Sequence, residues 1–433
     1  MSVGVQRLRD DSDRIRQGAR DKGEDAGLVD RALELDARRR ALVAEGDGLK
    51  AERNAASKRI GEAIRAGAEP NGAEVVELKR ASAATAEGID AIDAKLATVE
   101  AELDDTMLRI PNPADPDVPI GGEEANVVVR TWGEPLPHDD RRPHWEIAET
   151  LGLIDIARGA KVTGSGFPVY LGDGARMQRA LIGWFLDVHA NEHGMTEVWP
   201  PVVVNADSAR GTGQIPDKED QMYVVTRDDL YLIPTAEVPV TNLHRDEILE
   251  QGTLPIRYAA YSASFRREAG AAGRDTRGIL RVHQFDKVEM VSFVAPGESE
   301  AELELMTEHA ESLLQRLGLA YRVVLMSTRE MGFVQARKYD LEVWAPGVER
   351  WLEVSSVSNF RDYQARRMAI RYRPEADGKP ELVHTINGSG LALPRTVAAL
   401  LETYQQPDGS VIVPDVLRPA FGGRDRIGPS GGS

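Results

Sequence analysis

The sequence predicts an α+β protein in two parts: an N-terminal antiparallel two-helix coiled-coil arm, then a domain on a mainly antiparallel β-sheet with flanking helices. Three observations carry this reading. Leucines recur every seven residues near the start, prolines crowd one short stretch after them, and beyond that stretch helical periodicity alternates with β-like runs separated by hairpin signals.

Leu28, Leu35, Leu42 and Leu49 form a seven-residue series that continues through Ala56 and Ala63, with Ala32 and Ile60 between. After the turn signal Gly67-Ala-Glu-Pro-Asn-Gly72, a second seam runs through Val75, Leu78, Ile89, Ile92, Leu96, Val99 and Leu103. Two helices of about 35 to 40 residues, rising ~1.5 Å per residue, make a hairpin on the order of 50 to 60 Å long, too long for a compact core. Arg31, Arg38, Arg39, Arg40, Lys50, Arg53, Lys58, Arg59 and Arg65 fall on the first helix, and the second is mostly acidic. The first helix is therefore a candidate RNA-facing surface; a solvated coiled coil whose charges keep it soluble fits the same pattern equally.

Pro111, Pro113, Pro116 and Pro119 end the second helix and set a domain boundary near residue 115, dividing 1–115 from 116–433. Downstream, 177–193 and 299–317 read as helices, and 198–204, 257–267, 280–294 and 321–326 as strands.

The chain has no cysteine, which removes disulfides, thiolate metal sites and thiol nucleophiles. A net charge of -17 argues against a cationic coat for nucleic acid but allows a local basic stripe. The charged start lacks an apolar h-region and no stretch approaches about eighteen apolar residues, so a cytoplasmic protein without a membrane partner is expected.

The most informative stretch is 265–289, read as strand, glycine-rich loop, strand. With a period of two, Arg266 and Glu268 share one face, and His283, Phe285, Lys287 and Glu289 share another. A guanidinium grips carboxylate or phosphate, a carboxylate accepts an adenine or ammonium proton, and a ring stacks on a base, which together suit ATP plus an amino acid. A hairpin with cross-strand salt bridges is the plain alternative. In Trp351-Leu-Glu-Val-Ser-Ser356, Glu353 and Ser355 share a face, and Ser356 adds an oxygen if the strand bends; hard oxygens suit magnesium. Residues 385–395, Thr-Ile-Asn-Gly-Ser-Gly-Leu-Ala-Leu-Pro-Arg, read as a small-residue turn into the apolar helix 396–403, with Arg395 in its first turn, a combination that binds phosphate or is merely a capped turn. His189-Ala-Asn-Glu-His193 fits a five-residue zinc pattern but reads as ordinary helix packing. No G-x-x-x-x-G-K-S/T loop occurs.

Taken in order, the hairpin, Val162-Thr-Gly-Ser165, Gly211-Thr-Gly-Gln214, Pro234-Thr-Ala-Glu237, the 265–289 stretch, Glu353-Val-Ser-Ser356, Gln364-Ala-Arg-Arg367 and Asn387-Gly-Ser-Gly390 resemble the class II aminoacyl-tRNA synthetases, specifically the bacterial-type seryl-tRNA synthetase family. The resemblance implies a homodimer, formed through 177–201, that joins L-serine to tRNA(Ser), and also to tRNA(Sec), using ATP and Mg2+. It implies serine binding by Thr235, Ala236, Glu237, Arg266, Glu289, Asn387 and Ser389. It further implies ATP binding by Arg266, Arg267, Glu268, Val282, Phe285, Glu353, Val354, Ser355, Ser356 and Arg395, with Glu353 and Ser356 on the metal. Arg266, Glu289 and Arg395 are the residues it implies for catalysis. Departures from the family pattern are Val357 and Phe360, where a cysteine is expected in many relatives, and Glu330 in place of an aspartate. An RNA-binding paralogue without chemistry, a ligase acting on carrier proteins and a second, inhibitor-insensitive copy are the alternatives; Arg266, Glu268, Glu353 and Arg395 speak against the first, and the full hairpin against the second.

Overall fold

A computed structural model describes residues 3–269 and 277–428. The glycine-rich part of the 265–289 loop, 270–276, lies outside the described residues. The chain divides into two compact units, one of Met1–Arg20 and Glu24–Pro111, the other of Asp21–Gly23 and Asn112–Ser433.

In the first unit, helices α1 (Gly27–Arg65, 39 residues) and α2 (Ala73–Leu108, 36 residues) run antiparallel. At ~1.5 Å per residue each is about 55 to 60 Å long. Arg31 pairs with Glu102 at 2.9 Å and Lys50 with Asp93 at 3.4 Å, so part of the charge split serves pairing between the helices. Ala32, Leu35 and Leu42 are buried as the heptad reading expects, but Val29 is buried where Leu28 is only half-buried, and burial fades beyond Gly46. A straight helix repeats every 3.6 residues, so a strict seven-residue series drifts off the seam, and the small Ala56 and Ala63 cover little surface near the tip. The seam also holds a carboxylate: Asp36 is buried and accepts two 2.7 Å hydrogen bonds from Arg9, with Arg40 at 3.2 Å and Arg39 at 3.4 Å. The hydrogen bonds from Arg9, against desolvation, hold its carboxyl below the usual range.

In the second unit an eight-stranded sheet contains β1 (Val127–Trp132), β2 (Thr196–Val198), β3 (Ile256–Phe265), β4 (Gln284–Val294), β5 (Tyr321–Leu325), β6 (Arg337–Ala345), β7 (Arg350–Arg361) and β8 (His384–Ala392). The order is β1-β5-β6-β7-β8-β4-β3-β2, antiparallel except for β2 beside β3. Helices α3 (Asp173–Asn191), α4 (Ser299–Arg316) and α5 (Leu393–Tyr404) pack a large apolar core on the sheet with Phe185, Leu313 and Leu400. Alternation along β4 sends Val288 and Met290 into that core, while Val291 and Phe293 meet a second cluster with Ala236, Val240 and Ala365. Lys287 and Glu289 share the parity of Val291, which sets them on the second face.

The 385–395 segment differs from the sequence reading: it is mostly the strand β8, between β7 and β4, not a turn. Its small residues answer crowding. A Cβ on Gly388 would stand 3.0 Å from Met306 Sδ and 3.1 Å from Val357, and one on Gly390 only 2.2 Å from His189. The 198–204 run is likewise two strands, Thr196–Val198 and Val203–Asn205, in different sheets, with Pro200 and Pro201 between them removing backbone donors.

Candidate active site

The second unit holds a cavity of about 460 Å³. At one end the carboxylates are gathered. Thr235 and Glu237 come from the loop and short helix after Pro234, Lys287 and Glu289 from β4, and Asn387 and Ser389 from β8. Asn387 Nδ2 donates to Glu289 Oε1 at 2.7 Å and to Glu237 Oε2 at 3.1 Å. Gln364 Nε2 donates to Glu237 Oε1 at 2.6 Å, while Gln364 Oε1 accepts from Thr385 at 2.7 Å. Lys287 Nζ donates to Thr235 Oγ1 at 2.9 Å and pairs with Glu289. Burial, then the neighbouring Glu289 charge, pushes the Glu237 carboxyl up to about 7. This end is built to hold a cation that also offers hydrogen bonds.

Toward the other end cations dominate. The Arg266 guanidinium lies over the Phe285 ring, 5.1 Å from its centre, so a cation and an aromatic face meet at this end of the cavity. Arg395, in the first turn of α5, donates to Leu280 O at 3.1 Å and Glu353 O at 2.9 Å. Lys338 pairs with Asp340 at 3.1 Å. Glu268 adopts φ +52° and accepts from Arg281 at 2.5 Å. Desolvation opposes ionisation of Glu353, but Arg395, Lys338 and Arg266 outweigh it and hold its carboxyl below the usual value. Asp340 is pushed the other way, up to about 7, by burial and the Glu353 charge against Lys338.

Of the residues assigned from sequence, Thr235, Glu237, Asn387 and Ser389 line the cavity at the acidic end. Arg266, Glu268, Val282, Phe285, Glu353, Val354, Ser356 and Arg395 line the rest. Four others stand outside the lining. Ala236 is fully buried beneath it, and Glu289 sits behind Asn387 and Lys287. Ser355 is buried and donates to Ser389 O at 2.5 Å. Arg267 donates to Asp220 O at 3.1 Å. A bulge makes the difference at 353–356: Glu353 pairs with Glu342 and Ser355 with the adjacent Leu341, leaving Val354 extra and bringing Glu353 and Ser356 to the same cavity.

Sequence reasoning gave no role to Lys218 and Lys338, which line the cavity, or to Asp340 and Gln364, which bond to Lys338 and Glu237. Lys287 was visible on the Phe285–Glu289 face but was given no function. Lys338 and Asp340 reach the site only through the pairing of β6 with β7, which no local pattern announces.

Among the described residues no group of three or more His, Cys, Asp or Glu side chains is placed to hold an ion by itself. Glu353 and Ser356 nevertheless fit magnesium. Both are hard oxygen donors facing the cavity, and Mg2+ ordinarily takes one or two protein oxygens and fills its shell with phosphates and water. His189 and His193 belong to a packing cluster: their Nδ1 atoms lie 3.0 Å apart, His193 stacks on His309 at 3.9 Å, and His189 Nε2 is 3.2 Å from Gly390 O.

A mainly antiparallel sheet carries one cavity with a carboxylate end and an arginine-rich end, and residues 223–404 match the family described as tRNA synthetase class II core domain (G, H, P, S and T). Residues 4–114 match the seryl-tRNA synthetase N-terminal domain. A serine–tRNA ligase of Thermomicrobium roseum is 55% identical over 97% of this chain and 94% of its own length, and one of Geobacillus kaustophilus is 52% identical over 98% and 100%. The crystal structure of seryl-tRNA synthetase from Pyrococcus horikoshii complexed with ATP superposes with a TM-score of 0.91 at 36% identity, covering 98% of this chain and 99% of that one. The chain belongs to the serine–tRNA ligase family.

Proposed function

We propose that the cavity activates L-serine with ATP and that the enzyme passes the seryl group to tRNA(Ser), and also to tRNA(Sec). The observation that carries this is the division of one cavity into a carboxylate end, bridged by Asn387, and a guanidinium end around Arg266 and Arg395. The α-ammonium and hydroxyl of serine take their partners from Thr235, Glu237, Asn387 and Ser389, with Glu289 behind holding Asn387 in place. Alanine lacks the hydroxyl and leaves buried polar groups unpaired, so it is rejected.

Arg266 bridges the serine carboxylate and the α-phosphate, and Phe285 offers its ring to adenine. A carboxylate oxygen attacks the α-phosphorus, the bond to the β-phosphate bridging oxygen breaks, and pyrophosphate leaves. Arg395 and Lys338 meet charge on the outer phosphates, so positioning and electrostatics carry the step without a protein nucleophile. Bound Mg2+, held by Glu353 and Ser356, supplies charge neutralisation on the phosphates. In the second step a hydroxyl of the terminal ribose attacks the seryl carbonyl and AMP leaves. Arg38, Arg53 and Arg59, exposed on α1, fit an RNA-binding role for the arm. Exposed apolar residues in and after the 177–201 segment, with Trp199 75% exposed, fit homodimer formation. No helix among the described residues is long and apolar enough to cross a membrane, and cytoplasmic residence accords with the proposed work on tRNA.

The test is pyrophosphate–ATP exchange in Mg2+ with serine, alanine, threonine and glycine, beside an Arg266→Ala variant. Exchange with serine alone, lost in the variant, is expected; no exchange with any amino acid defeats the reading.

A further inference from the structure

Between β5 and β6 the chain runs through 326–336 without helix or strand, and the inner side of this strap lines the cavity with Glu330, Met331, Val334 and Gln335. Lacking a ladder, its carbonyls need other donors. Five successive ones find them in residues far away in sequence. Lys22 Nζ donates to Gly332 O at 2.8 Å, Phe333 O at 3.2 Å and Gln335 O at 2.6 Å. Asn112 Nδ2 donates to Val334 O at 3.0 Å, and Asp115 N to Ala336 O at 2.9 Å. Thr328 Oγ1 completes the seam by donating to Asp21 O at 2.6 Å.

Lys22 is the centre of this arrangement. Its side chain is only 7% exposed, and an ammonium has three N–H bonds, here matched by three carbonyls. The strap in turn abuts the turn that leads to the acidic pocket. A Cβ on Gly213 would stand 2.4 Å from Val334 Cγ1, so the two touch with no slack. Next to Gly213, Thr212 O accepts from Gln364 Nε2 at 3.3 Å, and that same nitrogen donates to Glu237 at 2.6 Å. A path therefore runs from Lys22 into the backbone of residues 332–335, from there through the Val334 side chain to Gly213 and its neighbour Thr212, and through Gln364 to Glu237.

We propose that Lys22 is a positioning residue for the amino-acid end of the cavity, fixing the wall against which the 211–213 turn and, through Gln364, Glu237 are set. The inference rests on the serine reading above. It predicts a selective defect, because the chain of contacts ends on the serine side and not on Phe285 or Arg395.

The experiment is serine-dependent exchange with the full chain, measuring KM for serine and for ATP, kcat and Tm, in wild type, Lys22→Met and Lys22→Arg. Lys22→Met is expected to raise the serine KM about tenfold, the size of one lost hydrogen bond to a charged group, with the ATP KM and kcat within about twofold. Lys22→Arg, which keeps donors, is expected to restore most of the loss. If Lys22→Met does not fold, Lys22→Gln is read instead, with the same split at about threefold to fivefold. A folded variant with an unchanged serine KM, with both KM values rising together, or with a defect that arginine does not relieve overturns the proposal. A wild-type enzyme that fails to exchange with any amino acid overturns the serine reading, and this inference with it, whereas the variant outcomes above overturn this inference alone.

Discussion

Lys287 Nζ donates to Thr235 Oγ1 at 2.9 Å while pairing with Glu289, and both charged side chains are nearly inaccessible to solvent. Removing one member of such a buried pair leaves the other charge uncompensated, at a cost of about 3 to 5 kcal/mol. Lys287→Met is therefore expected to lower stability by that amount in chemical denaturation. Adding Glu289→Gln to it should recover part of the loss. A double variant whose loss equals the sum of the singles would show that the two charges do not interact.

Glu237 gives a test in pH. Its folded carboxyl titrates at about 7, above the ordinary 4.5, so the folded state keeps this proton to higher pH than the unfolded state does. Stability from this group is fully present below 4.5 and is lost as pH rises through 7, on the order of 3 kcal/mol in total. Glu237→Gln should thus be more stable than wild type at pH about 8 and similar at pH about 4.5, while losing serine affinity. In wild type the serine KM should fall as pH rises through about 7, because an ammonium prefers the ionised carboxylate. Thermal melts and exchange kinetics across pH check both signs.

Glu353 remains ionised because Arg395, Lys338 and Arg266 offset its desolvation. Glu353→Gln is expected to raise the Mg2+ concentration needed for half-maximal exchange by roughly tenfold or more, with the serine KM little changed. Chelation of Mg2+ should stop exchange in wild type. A variant with an unaltered Mg2+ requirement would remove Glu353 from the metal.

Three histidines of the second unit predict acid sensitivity. Burial, then His193, pushes His189 down to about 3 and His309 down to about 4, while burial pushes His384 down to about 4. Unfolded histidine titrates near 6.5, so the unfolded state takes up protons first as pH falls, and stability declines from 6.5 toward 4. His189→Leu loses its bond to Gly390 O but should show a shallower decline of Tm over that window than wild type.

Much of this was legible in the sequence because the evidence was local. The hairpin came from leucine spacing, the linker from Pro111 to Pro119, and the Phe285–Glu289 face from strand alternation. What escaped depended on neighbours brought in by the sheet. Residues 385–392 look like a turn because of Asn387, Gly388, Ser389 and Gly390, yet the two glycines answer Met306, Val357 and His189 pressing on a central strand. The Glu353–Ser356 pairing needed a bulge that only the β6 register reveals. Asp36, a carboxylate in an apolar seam, was hidden because its partner Arg9 lies 27 positions earlier.

Three residues near the start, Asp21–Gly23, group with the catalytic unit although the chain on both sides of them groups with the other. A chain cut at the proline-rich linker to remove the arm would also strip Lys22 from its three carbonyls. Any loss of serine activation in such a shortened protein would then report damage to the wall of the catalytic cavity and not the absence of the arm itself. An arm deletion that separates the two must splice out the helical hairpin and leave the short N-terminal stretch joined to the remainder.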